Sequence, residues 1–173
     1  MFQPGELLIY GSTGVCQVLS IDQRQDYING VRQTRTYYRL KPLYQGGVIY
    51  TPVDNGKVVM RPVISREEAE ALIDGIPALR PAACPATTTQ ALTQHYQASL
   101  RQNSCRGLLE LTMAIHQKQC RAEARNRRLG MVDERFMKQA EQLLFGELAA
   151  ALDIPYEEVQ PYIAGRMQAC AKV

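Results

Sequence analysis

Tryptophan is absent from this 173-residue chain, and phenylalanine occurs only three times. The widest ring available for stacking on a base is therefore missing. No Cys-x-x-Cys pair occurs among Cys16, Cys84, Cys105, Cys120 and Cys170, which excludes a zinc ribbon and a thioredoxin-type redox pair. An odd number of cysteines at irregular spacing is a poor disulfide framework, whereas free thiols suit a reducing cytoplasm. His116 and Cys120 would share one helix face, but two ligands do not close a metal site. No metal or other cofactor is expected. No apolar run approaches the roughly 20 residues that a membrane span needs. Residues 1–14 lack the basic stretch and the long apolar stretch of a signal peptide. The sequence thus predicts a soluble cytoplasmic protein with no membrane partner.

Catalytic patterns are missing too. Both histidines, His95 and His116, fall in helical stretches, and the hydroxyls of Ser12, Thr13 and Ser20 have no base nearby in sequence. Gly11-Ser12-Thr13-Gly14 lacks the Lys-Ser/Thr ending and the following helix of a phosphate loop. It reads as a tight turn. Carboxylates nowhere cluster as general acid–base work would require. No enzymatic activity and no small-molecule substrate are expected. A net charge of +3 is also too small to mark a general nucleic-acid condenser.

What is present falls into two halves with different periods. Residues 1–63 read as five short strands: Glu6 to Tyr10, Val15 to Asp22 running on to Ile28, Val31 to Lys41, Val48 to Thr51, and Lys57 to Met60. Asn29-Gly30 is a strong hairpin signal, because both residues tolerate positive φ. Thr34 to Leu40 is rich in β-branched and aromatic residues. Short strands at this density predict a small barrel or a strongly bent sheet.

From Ser65 the period becomes helical. Ser65-Arg66-Glu67-Glu68 is a capping box, and its helix ends near Gly75 to Pro77. Pro77, Pro81 and Pro85 make residues 77–89 a connection. Helices follow at about 89–102, 104–129, 131–152 and 155–169. The fold class is therefore α+β in two domains, 1–63 and 64–173, with a small β-barrel before an all-α domain.

The predicted helix 104–129 places Leu108, Leu111, Thr112, Ile115, Ala122 and Leu129 on one side, which predicts a core face. Lys118, Arg121, Arg125 and Arg128 run beside them at steps of three, four and three. Such a stripe either tracks a phosphate backbone or is a solvated face with stems over the core edge. In the next helix, Phe136, Met137, Ala140, Leu143, Leu144 and Leu148 predict another core stripe, with Asp133 near the positive end of the helix dipole.

Several runs resemble the CarD/CdnL transcription regulators. They are Met1-Phe2-x-x-Gly5, Tyr10-x-x-x-Gly14, Tyr37-Tyr38-x-Leu40, Pro52-Val53-Asp54-Asn55 and Arg61-Pro62-Val63-Ile64-Ser65. The run from Ala140 through Gly146-Glu147-Leu148-Ala149 to Leu152 is also similar. The N-terminal part is shared with the transcription-repair coupling factor. The resemblance implies a Tudor-like barrel that binds the β subunit of RNA polymerase. It also implies a helical domain that touches promoter DNA at the upstream edge of the melted bubble and tunes the open complex without catalysis. It places Arg24, Tyr50 and Pro52 at the polymerase contact, with Tyr50 where some members carry Arg. A Tyr there offers stacking and one hydroxyl, or packs inside the barrel.

In the DNA module, Leu92-Thr93-Gln94-His95-Tyr96 stands where the family has Trp-x-x-Arg-Tyr. Leu92 is thus the counterpart of a wedging ring, and Gln94, His95 and Gln97 replace stronger phosphate partners. Arg121 matches a basic family position, and Glu134 stands where the family has Lys. The expected DNA surface is Leu92, His95, Lys118, Arg121, Arg125 and Arg128. A rival expectation is a protein-binding adaptor whose helical domain has lost DNA binding. Residues 1–63 carry +3, and residues 64–173 carry thirteen groups of each sign. The domain expected to meet DNA is therefore neutral overall.

Overall fold

The computed structural model describes residues 1–170, without the side chain of Cys170. Packing divides the chain into two compact units, Met1–Val63 and Ile64–Val173. The first is a five-stranded antiparallel sheet. Its strands are β1 (Leu7–Tyr10), β2 (Gly14–Ile28), β3 (Val31–Pro42), β4 (Ile49–Pro52) and β5 (Met60–Pro62), in the order β4-β3-β2-β1-β5. Asn29 and Gly30 adopt φ of 52° and 79°, so Ile28 pairs with Val31 across a two-residue turn. Positive φ at both positions matches the right-handed twist of the flanking strands. The tight turn read at residues 11–14 is a single 3-10 turn that leads into a strand.

The predicted Tudor-like barrel is corrected to an open sheet. The edges β4 and β5 are four and three residues long and lie at opposite ends of the order. They carry too little backbone to close the ring. The strand read from Val15 through Asp22 to Ile28 is β2, kinked by a register shift between Val18 and Ser20. Leu8, Cys16, Val18, Tyr38 and Leu40 form the core on one sheet face. The Tyr38 hydroxyl accepts a hydrogen bond from the Phe2 N–H at 2.9 Å, which ties the N-terminal segment to that core. Burial pushes the Cys16 thiol up to about 11, leaving it an inert packing group.

The second unit is helical: α1 (Arg66–Asp74), α2 (Thr89–Arg101), α3 (Cys105–Ala124), α4 (Met131–Leu152) and α5 (Val159–Cys170). The capping box forms as read. Ser65 Oγ accepts from the Glu68 N–H at 3.1 Å, and the Glu68 carboxylate accepts from the Ser65 N–H at 2.8 Å. Buried Glu147 accepts from the Ile64 N–H at 3.2 Å, and Arg66 donates to the Leu152 carbonyl at 3.0 Å. Both bonds seat α1 on α4. Arg166 grips Asp74 with two bonds of 2.9 and 2.7 Å, joining α5 to α1. That guanidinium holds the Asp74 carboxyl below its ordinary value. Ile73, Tyr96, Leu108, Ile115, Phe136, Leu144, Leu148 and Val159 make the shared core.

Helix α3 ends at Ala124, five residues short of the expected 129. Asn126 takes φ 53°, its N–H bonds to the Glu123 carbonyl, and the Arg127 N–H bonds back to the Ala122 carbonyl. This is a Schellman stop built on asparagine in place of glycine. The expected helix at 155–169 begins instead with a 3-10 turn, Tyr156–Glu158, before α5. No helix among the described residues is long and apolar enough to cross a membrane.

Candidate functional site

The sheet places the three expected polymerase-contact residues on one face. Counting outward from Asn29-Gly30 sets Arg24 opposite Arg35, Asp22 opposite Tyr37 and Asp26 opposite Gln33. Strand β4 adds Tyr50 opposite Arg39 and Pro52 opposite Tyr37. Side chains alternate across a strand, so these residues share the face turned away from Tyr38, Leu40 and Thr51. The Arg24 guanidinium lies over the Tyr50 ring, 4.0 Å from its centroid. Tyr50 is 43% exposed, so it stacks outward rather than packing inside.

The neighbours complete a mixed surface. Arg35 pairs with Asp54 at 2.9 Å, and the Tyr37 hydroxyl donates to the Asp26 carboxylate. That bond, before all else, pushes the Tyr37 hydroxyl above its ordinary value. Arg24 and Arg35 stand directly opposite, yet each has its own partner, an aromatic face and a carboxylate. Arg24, Arg35 and Arg39 share this region with Asp22, Asp26 and Asp54. Alternating signs with one stacked aromatic suit a protein partner better than a uniformly negative phosphate backbone. Arg35 and Asp26 were not singled out from sequence, and Tyr37 and Asp54 only as parts of family-like runs. The Asn-Gly turn fixes the register and was the signal that could have found Arg35 and Tyr37.

In the helical unit the expected DNA residues separate into three groups. His95, Lys118 and Arg121 come together around a cavity of about 190 Å3, walled also by Pro81, Cys84 and Tyr96. Arg125 and Arg128 do not continue the stripe. Arg125 caps α3, and Arg128 follows the left-handed Asn126. Leu92 is half-buried and packs against the helical core, so the expected wedge is largely committed to packing.

The least anticipated feature is a buried polar hub. Tyr96, on α2, is 2% exposed, and its hydroxyl donates to Asp133 at 2.6 Å. Lys118, on α3, reaches the same carboxylate at 2.9 Å. Asp133 lies in the first turn of α4, where the helix dipole also favours its charge. Burial first, then the bond to Asp133, pushes the Tyr96 hydroxyl far above its ordinary value. The hub ties α2, α3 and α4 together and engages the Lys118 charge. It leaves His95 and Arg121 as the exposed basic groups of the cavity rim. Sequence reading found Asp133 only as a dipole partner, because its other partners lie 37 and 15 residues away.

His116 and Cys120 do face each other, with Nε2 and Sγ 3.8 Å apart. Among the described residues no three His, Cys, Asp or Glu side chains gather in a way that could hold a metal. Comparison with known families matches residues 2–64 to the CarD-like/TRCF RID domain. The match spans the sheet unit with its Arg24–Tyr50 face, and it agrees with the resemblance to CarD-like regulators. This domain interacts with RNA polymerase and is found in transcription factors that do so. No curated protein matches the chain.

Proposed function

We propose, from the CarD-like/TRCF RID domain at residues 2–64, that this protein is a non-catalytic bacterial transcription regulator. The sheet unit docks on the β subunit of RNA polymerase through Arg24, Tyr50 and Pro52. The helical unit contacts promoter DNA beside the melted bubble through Arg121 and His95, with Arg125 and Arg128 as outlying phosphate partners. The observation that carries the reading is the family match over the same unit that presents the stacked Arg24–Tyr50 pair. A unit with balanced charge binds free DNA weakly. Tethering it to polymerase makes the second contact intramolecular, so a light grip suffices to lengthen the life of the open complex.

Binding to the isolated β lobe tests the first half. The wild type binds, and Arg24→Glu weakens binding by about tenfold, since it removes the stack and reverses the charge. No binding by the wild type, or none of this loss, overturns the docking. The second half is read from promoter-complex lifetime. Arg121→Glu shortens it and lowers the salt slope by about 1, as expected for one lost phosphate contact.

A second reading is a polymerase-bound adaptor without DNA contact. The engagement of Lys118 by Asp133 and the half-burial of Leu92 favour it. Under that reading the promoter-complex lifetime is unchanged in Arg121→Glu, and polymerase binding is indifferent to the presence of DNA.

A further inference from the structure

A second cavity in the helical unit differs in character from both surfaces above. It holds about 490 Å3 between α3, α4 and α5, within the range of sites that take drug-sized ligands. Leu109 and Leu144 form its floor, Met113 and Met137 its walls, and Ile163 of α5 closes one side. Methionine walls are unbranched and polarisable, so they adapt to the shape of an occupant.

One acidic side chain faces into this apolar setting. Glu141 is half-buried, and no hydrogen bond to its carboxylate is found among the described residues. Burial pushes its carboxyl above the ordinary value, and the charge of His116 across the cleft offsets this only in part. A carboxylate in apolar surroundings with no donor is costly, and an opposite charge brought to it recovers that cost. A neutral apolar molecule would fill the space but strip more water from Glu141. An anion would meet both desolvation and repulsion.

We propose that this cleft is a binding site for a small amphiphilic amine. The apolar body lies between Met113 and Met137, and the single ammonium group pairs with Glu141. The cavity supplies the contact area, and the carboxylate selects the sign of the head group.

The test uses the full chain with methyl-labelled methionine and three eight-carbon probes: octylamine, octanol and octanoate. Octylamine shifts the Met113 and Met137 methyl resonances saturably. It binds about tenfold more tightly than octanoate, as expected for one ion pair in a partly desolvated site. Glu141→Gln, a neutral near-isostere, brings amine and octanoate to within about twofold and does not weaken octanol binding, since the cost of stripping water from the carboxylate is gone. The proposal is overturned if octylamine and octanoate bind the wild type equally. It is also overturned if Glu141→Gln keeps the preference, or if no probe moves these two methyls.

Discussion

In the sheet unit, Arg24 meets the Tyr50 ring on a solvent-facing surface assembled from three neighbouring strands. In the helical unit, Tyr96 and Lys118 converge from two helices onto the carboxylate of Asp133 on a third, a residue that is 3% exposed. The first arrangement is set by register. One turn at Asn29-Gly30 dictates which side chains stand opposite each other across β2 and β3, and the exposed face costs the core nothing. The second is set by tertiary packing. Its contacts exist only because three helices have already come together, so its polar groups are part of the fold. A partner can use the first surface without disturbing stability, while any change to the second is felt through the whole bundle.

Asp133→Ala breaks this comparison most severely. It removes the acceptor of a buried hydroxyl and the counter-charge of Lys118, and should cost the helical unit about 3 kcal/mol. Tyr96→Phe removes one donor and leaves the ion pair, so about 1 kcal/mol is expected. Urea unfolding followed by signals from each unit checks both values. If Arg24→Ala proves equally damaging to stability, the distinction between a register-set surface and a structural hub fails.

The hub also shows where sequence reading stops. Strand and helix order, the Asn-Gly hairpin and the Ser65 capping box are local signals, and each was legible within a few residues. The resemblance grouped Arg24, Tyr50 and Pro52 but left Tyr50 facing either way, and the register of β4 on β3 is what turns it outward. The commitment of Lys118 was not legible. A lysine on a predicted basic stripe looks the same whether its ammonium points to water or to an aspartate on another helix. The packing of Leu92 was not legible for the same reason: it depends on helices far away in sequence. Strand count left a small barrel and a bent sheet both open, because closure depends on the length of the edge strands, which is not a local signal.

Gly11 sharpens the comparison from the side of the sheet. It sits at φ +44°, its N–H bonds to the Val59 carbonyl, and a Cβ there would lie 2.8 Å from Val58 Cγ1. Gly11→Ala should cost about 1–2 kcal/mol through left-handed strain and that clash. The loss should appear in the sheet unit alone. Thermal melts read by hydrogen exchange in β1 and in α4 separate the two units. Equal loss of protection in α4 would mean that the units do not keep separate stabilities.

The smallest effect concerns the end of α3. Asn126 holds φ 53° with its N–H on Glu123, and this stop separates Arg125 and Arg128 from the stripe begun by Arg121. Glycine adopts this conformation more readily, so Asn126→Gly should stabilise the helical unit by about 0.5 kcal/mol. Alanine favours helix and could be thought to extend α3 and rebuild the stripe. The connection argues against that, because Gly130 is already extended at φ −66°, ψ 152° to cap α4, and few residues remain to reverse the chain. Asn126→Ala should therefore cost about 1 kcal/mol in left-handed strain, with no gain in protection of amides 125–128. A protected extra turn, with a steeper salt dependence of promoter binding, would instead show that the stop is a choice of residue 126 alone. The basic residues of this unit would then have been one substitution away from a continuous basic stripe.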